Sequence, residues 1–166
     1  MSDHSHPIQH KMRRGDRALS RSQAYAILEE GNYGVLSTAS REGEPYGVPL
    51  NYCVMDEEIA FHCAREGRKI EHLHLNPRAS FCVVGQAAVQ PEAFTTYYQS
   101  CLVQGPVREA SPDEKRRALR KLVRKYAGGF QVQGEEVIGR LEKKTRVFFI
   151  KIEHITGKAN QPEEEE

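Results

Sequence analysis

Three apolar, partly β-branched runs at 33–39, 46–54 and 59–64 follow one another through very short polar connections. A parallel crossover needs about a dozen residues or more, so these runs must be antiparallel neighbours. The first connection, Arg41-Glu42-Gly43-Glu44, reads as a hairpin turn in which Gly43 can take positive φ. Further strand-like runs stand at 79–84, 96–109 and 145–154, with Gly105-Pro106 marking a bulge or an edge in the longest. The connection 85–94 has no decisive pattern.

Helices punctuate this order. Ser20 and Gln23 form a capping box before a helix over 20–30, whose Ala24, Ile27 and Leu28 make an apolar stripe. Gly31 can take the left-handed position that ends it. A short helix over 67–75 stops at Asn76-Pro77. The most clearly signalled helix spans 112–126: Ser111 caps it, Pro112 sits at its first position and Glu114 completes a second capping box. Ala118, Leu119, Leu122, Val123 and Tyr126 form its apolar face, and Gly128-Gly129 ends it. Six antiparallel strands with segregated helices make an α+β fold. Closing the six-stranded sheet into a barrel, with the helices peripheral, would remove most exposed edges.

At 166 residues the chain is sized for one domain, placed at 19–158. Residues 1–18 are polar and aperiodic and read as a mobile tail; residues 159–166, ending in Glu163 to Glu166, read as an acidic disordered tail. His4, His6 and His10 belong to a solvated tail rather than a metal tract, because no Cys or acidic cluster completes a site. A net charge of +1 selects neither nucleic acid nor an anionic membrane. No apolar run approaches about 18 residues, and residues 1–15 lack the apolar core of a secretory signal. Cys53, Cys63, Cys82 and Cys101 each lie in a strand-like run with no Cys-x-x-Cys pair, which points to reduced thiols and a cytoplasmic location.

Chemistry concentrates in two places. In the run 46–54 the even positions (Tyr46, Val48, Leu50, Tyr52, Val54) are large, and the odd ones (Gly47, Pro49, Asn51, Cys53) are small. Alternate residues face opposite sides, so one face fills a core while the other leaves room for a flat ligand, or packs tightly on a helix or another subunit. Pro49 marks an edge or a bulge there. Arg65, Arg68 and Lys69 surround Gly67 where a strand hands over to a helix; this suits a phosphate monoester, or is a solvated basic turn. His62 can orient a ligand or move a proton near neutral pH, or is a satisfied histidine of the strand. His72 and His74, two apart on a helix, do not share a face, so they make no metal pair. Seven basic residues crowd the helix 112–126, but without interleaved aromatics they read as a solvated face rather than a nucleic-acid stripe. No nucleophile elbow, dinucleotide fingerprint, phosphate-binding Walker loop or zinc-ligand spacing occurs, so any chemistry falls to a cofactor.

The segments Tyr33-Gly34-Val35-Leu36-Ser37-Thr38, Pro45-Tyr46-Gly47-Val48-Pro49-Leu50-Asn51-Tyr52 and Phe61-His62-Cys63-Ala64 with Gly67-x-Lys69 resemble the nitroimidazole-resistance flavoproteins. These belong to the pyridoxamine 5′-phosphate oxidase-like superfamily of FMN-binding split barrels. Phe94-Thr95-Thr96, Tyr98-x-Ser100 and Ile155-Thr156-Gly157-Lys158 extend the likeness over roughly residues 13–158. The resemblance implies a split β-barrel and a homodimer with two FMN sites at its interface. Val35, Leu36, Ser37, Thr38, Pro49, Leu50 and Asn51 would lie along the isoalloxazine. His62, Cys63 and Ala64 would run beside the ribityl chain and ring. Lys69 with Arg68 would hold the phosphate, although many relatives carry histidine where this chain has Arg68. Tyr98, Gln99, Ser100 and Lys158 would reach the flavin from the partner chain. The implied reaction is reduction of a nitroimidazole or another small acceptor through reduced flavin, with His62 or solvent as the acid. Two alternatives share the fold: a non-enzymatic module holding flavin or haem, with His62 or His74 as axial ligand, and a deazaflavin-dependent enzyme.

Overall fold

A computed structural model describes residues 11–162. Its strands are β1 (Ala18–Leu19), β2 (Gly34–Ala39), β3 (Pro45–Leu50), β4 (Cys53–Met55), β5 (Glu58–Cys63), β6 (Arg78–Gln90), β7 (Thr95–Glu109), β8 (Arg146–Lys151) and β9 (His154–Asn160). Its α-helices are α1 (Arg21–Glu30), α2 (Arg68–Leu75), α3 (Pro112–Tyr126) and α4 (Gln131–Leu141). The main path of the sheet runs β3-β2-β6-β7-β8-β5-β4, with β9 beside β7 and β1 beside β9. Every pairing is antiparallel. This is an α+β split barrel, as expected, with nine strands among the described residues rather than six.

The extra strands come from breaks. The run 46–54 divides at Asn51-Tyr52, and its halves go to opposite ends of the sheet: β3 pairs with β2, and β4 with β5. The break leaves the main-chain groups of Tyr52 without a ladder. The Tyr126 hydroxyl of α3 replaces it, accepting from the Tyr52 N–H at 3.1 Å and donating to the Tyr52 carbonyl at 2.9 Å. The Tyr52 hydroxyl in turn donates to the Leu28 carbonyl of α1. The first and third runs are therefore each hairpin partners of the second, yet they do not lie side by side. The run 145–154 likewise divides into β8 and β9. The unassigned 85–94 stretch is the tip of a long β6–β7 hairpin with a register shift between Val84 and Ala87.

Gly105-Pro106 marks neither a bulge nor a free edge. There β7 leaves β6, whose pairing ends at Arg78↔Pro106, and joins β8 from Val107 onward. A Cβ on Gly105 would stand 1.8 Å from the Lys151 carbonyl oxygen, so only glycine admits this crossing. Gly31 is also required by closeness. It ends α1 in an extended conformation (φ −61°, ψ 137°), not the left-handed one, and its Cβ would strike Val83 and Tyr52.

Both expected capping boxes form, at Ser20/Gln23 and Ser111/Glu114. α4 was not signalled, since Gly134 and Gly139 dilute its pattern. Residues 1–10 and 163–166, with the three tail histidines and the acidic end, lie outside the described residues. Strand pairing begins at Ala18 and continues to Asn160. No helix among the described residues is long and apolar enough to cross a membrane.

The core has two parts. Leu36, Phe61, Phe81, Val103, Phe148 and Ile150 fill the barrel together with Ala24, Ile27 and Leu28 of α1. Ala60, Val147 and Phe149 face the other way and pack under Ala118, Leu119 and Leu122 of α3 and Ile138 of α4. β8 is thus covered on both faces, and its Val147-Phe148-Phe149-Ile150 run is apolar throughout. β2 and β3 alternate instead, because no helix covers their outer face.

Candidate functional site

That uncovered face is built from directly opposed residues, which share a side of the sheet. One row runs Pro49–Val35–Cys82–Leu102–Thr156. The next runs Gly47–Ser37–Ser80–Gln104–His154. A third holds Val84, Ser100 and Lys158. The apolar members are exposed: Val35 36%, Leu102 39% and Val84 53%. Among the described residues, a Cβ added at Gly47 would find only Val35 and Ser37, at 3.7 and 3.8 Å, and none of them fills the space above it. β3 ends the sheet path, which is where Pro45 and Pro49 lose no ladder partner. A cleft of ≈ 490 Å³ opens at one end, over Ser37, Ser80 and Gln104 with Arg78 on its rim.

The basic turn lies between β5 and α2. Gly67, at φ 130°, offers no side chain to cap α2; the Ile70 amide donates to the Gly67 carbonyl, which leaves the Arg68 and Lys69 amides to face a ligand. Three contacts orient α2 against the β2–β3 hairpin. His72 Nδ1 and Thr38 Oγ1 share a buried hydrogen bond of 3.1 Å. Asn76 Nδ2 donates to the Ala39 carbonyl. The Arg68 guanidinium lies 5.3 Å from the centre of the Tyr46 ring. Burial pushes the Cys63 thiol pKa up, while Lys69 and Arg146 pull it down and Glu109 raises it. These three charged groups therefore surround Cys63. Arg146 organises the turn: it binds the Glu109 carboxylate at 2.6 Å, donates to the Arg65 carbonyl and meets His74 Nε2 at 3.2 Å.

The expected site residues divide by face. Val35, Ser37, Pro49, Tyr98, Ser100 and Lys158 belong to the open outer face, where the row order brings most of them together. Leu36 and Thr38 point inward and are buried, so only their main chain borders that face. Leu50 is half-buried against the core. Asn51 is exposed and donates to the Asn32 carbonyl at the break. Gln99 points away from the face and lines a cleft of ≈ 570 Å³ with Gly31, Tyr33 and Gly85. On β5, Cys63 faces the barrel, whereas His62 and Ala64 point to the outside and are exposed. Partial desolvation by neighbouring protein atoms lowers the His62 pKa below the ordinary imidazole value. Sequence reasoning missed Ser80, Cys82, Leu102 and Gln104. Their alternation with Phe81, Val83 and Val103 was the available signal.

The family described as pyridoxamine 5′-phosphate oxidase matches residues 20–159, nearly the whole described chain. The chain belongs to this family. No curated protein matches it at the level of sequence. Solved structures resemble this family member at low identity. A candidate 5-nitroimidazole antibiotic resistance protein from Bacteroides thetaiotaomicron is 20% identical, with a TM-score of 0.69 over 87% of this chain and 90% of its own. A FAD-binding protein from Mesorhizobium loti is 24% identical, with a TM-score of 0.64 over 87% and 97%. The haem storage protein HutZ of Vibrio cholerae is 13% identical, with a TM-score of 0.62 over 81% and 92%. At such identities the likeness speaks for the fold alone.

Proposed function

We propose that this family member binds FMN and serves as a flavin-dependent oxidoreductase of nitroreductase type. The observation that carries this reading is the uncovered, side-chain-poor face of β2, β3 and β6, on a β2–β3 hairpin against which the cationic start of α2 packs through Tyr46. Gly47, Pro49 and Val35 offer a flat wall that a planar ring can cover, and none of the described residues occupies the space above Gly47. Ser37, Ser80 and Gln104 supply hydrogen-bonding groups along the next row. The side chains and amides of Arg68 and Lys69 at the start of α2 suit a phosphate monoester.

When bound, the flavin supplies electron transfer to a nitro group or another small acceptor. The chain's residues bind and orient. His62, whose pKa is lowered by desolvation, can hold or pass a proton at a ring nitrogen. A second copy of the chain, seated on the open face, would cover the exposed Val35, Val84 and Leu102, exclude water and complete the site as a homodimer.

The known relatives with FAD or haem in their descriptions leave two other occupants to test against. Haem binding through His74 is opposed by Arg146, which engages its Nε2, so that reading rests on His62 alone. The deciding experiment is the absorption spectrum and released-ligand mass of the purified protein. Flavin bands near ~450 nm with the mass of FMN are expected, as the isoalloxazine chromophore requires. The mass of FAD, a Soret band, a deazaflavin mass, or failure to take up added FMN would overturn the proposal.

A further inference from the structure

The basic face of α3 is not uniformly solvated. Four of its seven cations are engaged. Lys115 Nζ donates to the Glu142 carbonyl at 2.6 Å, and Arg116 binds the Glu142 carboxylate at 3.0 Å. Arg117 binds Asp56 at 2.9 Å, and Arg120 binds Glu135 at 2.7 Å. The remaining three, Lys121, Arg124 and Lys125, form no ion pair among the described residues. These same three line a cleft of ≈ 550 Å³, with Glu29 of α1 and Cys53 and Val54 of β4 completing the wall.

Lys125 carries the argument. Its Nζ is buried and has no hydrogen-bond partner among the described residues. It lies 4.0 Å from the centre of the Tyr52 ring and 5.4 Å from that of Tyr126. Aromatic faces soften the loss of water but do not accept the ammonium protons as an oxygen would. The neighbouring Cys53 thiol is pushed up to about 11 by burial, so it remains uncharged and supplies no counter-ion near neutral pH. Burial lowers the Lys125 pKa and Glu29 works against that; with Lys125 protonated, the cleft holds three cations against Glu29 alone. A dianion balances that excess, whereas a single carboxylate does not. Cys53 and Val54 give the cleft an apolar side, which suits an organic body behind the charge. Its size is that of a small-molecule site.

We propose that this cleft between α1, β4 and α3 is a second ligand site, for a small organic phosphate monoester. None of its lining residues belongs to the open sheet face or the 65–69 turn, so it stands apart from the proposed flavin site.

Phenyl phosphate is the probe, titrated calorimetrically into the full-length protein at low salt and above neutral pH. Saturable binding is expected, with benzoate about tenfold weaker because it carries one charge fewer. Lys121→Ala with Arg124→Ala should weaken phenyl phosphate at least about tenfold, while Arg120→Ala, which removes a paired cation, should leave it unchanged. Lys69→Ala should also leave it unchanged, which separates this site from the flavin phosphate site. Each variant is checked for an unaltered urea midpoint, and Lys125→Met serves as an independent variant if the double one is unstable. Absence of saturable binding, insensitivity to the Lys121, Arg124 and Lys125 changes, or loss on Lys69→Ala would overturn the proposal.

Discussion

Lys69 is half-buried beside Cys63, with Arg146 and Glu109 close by. In the proposed site it makes a charge-assisted contact to the flavin phosphate. Lys69→Ala is therefore expected to weaken FMN by about 1–3 kcal/mol in a fluorescence titration. Riboflavin, which lacks the phosphate, should bind the variant and the parent alike. An FMN affinity that does not move would remove the phosphate from this turn. Gly105 makes the opposite kind of case, where one hydrogen does all the work. Gly105→Ala drives a methyl into the Lys151 carbonyl and should cost about 3 kcal/mol or more in urea unfolding. Neither effect can be read from the residue type. Glycine before proline suggested a bulge, and only the crossing of β7 over the β8 end shows why the side chain must be absent.

At the level of elements, α3 shows how far local rules reach. Its start is written in the chain as Ser111-Pro112-Asp113-Glu114, and the box forms as written. Ser111→Ala should cost about 1 kcal/mol, measured as a fall in the urea midpoint without a change in slope. Glu114 adds a pH dependence. The Arg108 guanidinium, followed by the Ser111 amide and hydroxyl, holds its carboxyl down to about 2, against an ordinary 4.5. A depressed carboxylate stabilises the fold at pH above the ordinary value, and that contribution fades as pH falls from 4.5 toward 2. Glu114→Gln should thus lose stability relative to the parent near neutral pH and converge with it in acid. Parallel curves across that window would assign the effect elsewhere. Local rules fail at α4, whose glycines hide its periodicity. Its Ile138 is buried only because α3 and the β8 face are already there.

The molecule as a whole has one sheet region covered on both sides and one covered on a single side. The open region exposes Val35, Val84 and Leu102 in line with the proposed flavin wall. A dimer through this face predicts that Leu102→Arg yields a monomer in sedimentation and loses bound flavin in the same step. A monomeric variant that still held flavin tightly would detach the site from the interface.

Much of this was legible in advance. The two capping boxes, the β2–β3 and β4–β5 hairpins, the Asn76-Pro77 stop and the small face of β3 follow from turn chemistry and alternation, which act over a few residues. The small face was expected to leave room: Gly47, Pro49 and Asn51 are exposed, whereas Cys53, beyond the break, is buried under α3. Less was legible about which members of a segment face that room. Leu36, Thr38 and Gln99 were grouped with their neighbours, yet strand alternation turns them away.

What the chain determined by itself was its set of local elements and their antiparallel sense, because capping, turn conformation and periodicity are short-range properties of residues in order. Which strand lies beside which was decided only by the tertiary structure. The 46–54 run reads as one strand, and it breaks because Tyr126, more than 70 residues further on, supplies the hydrogen bonds that the ladder loses at Tyr52. Burial of both faces of β8 by α3, and of only one face of β2, likewise depends on long-range packing, and that difference leaves open the face where a ligand can lie.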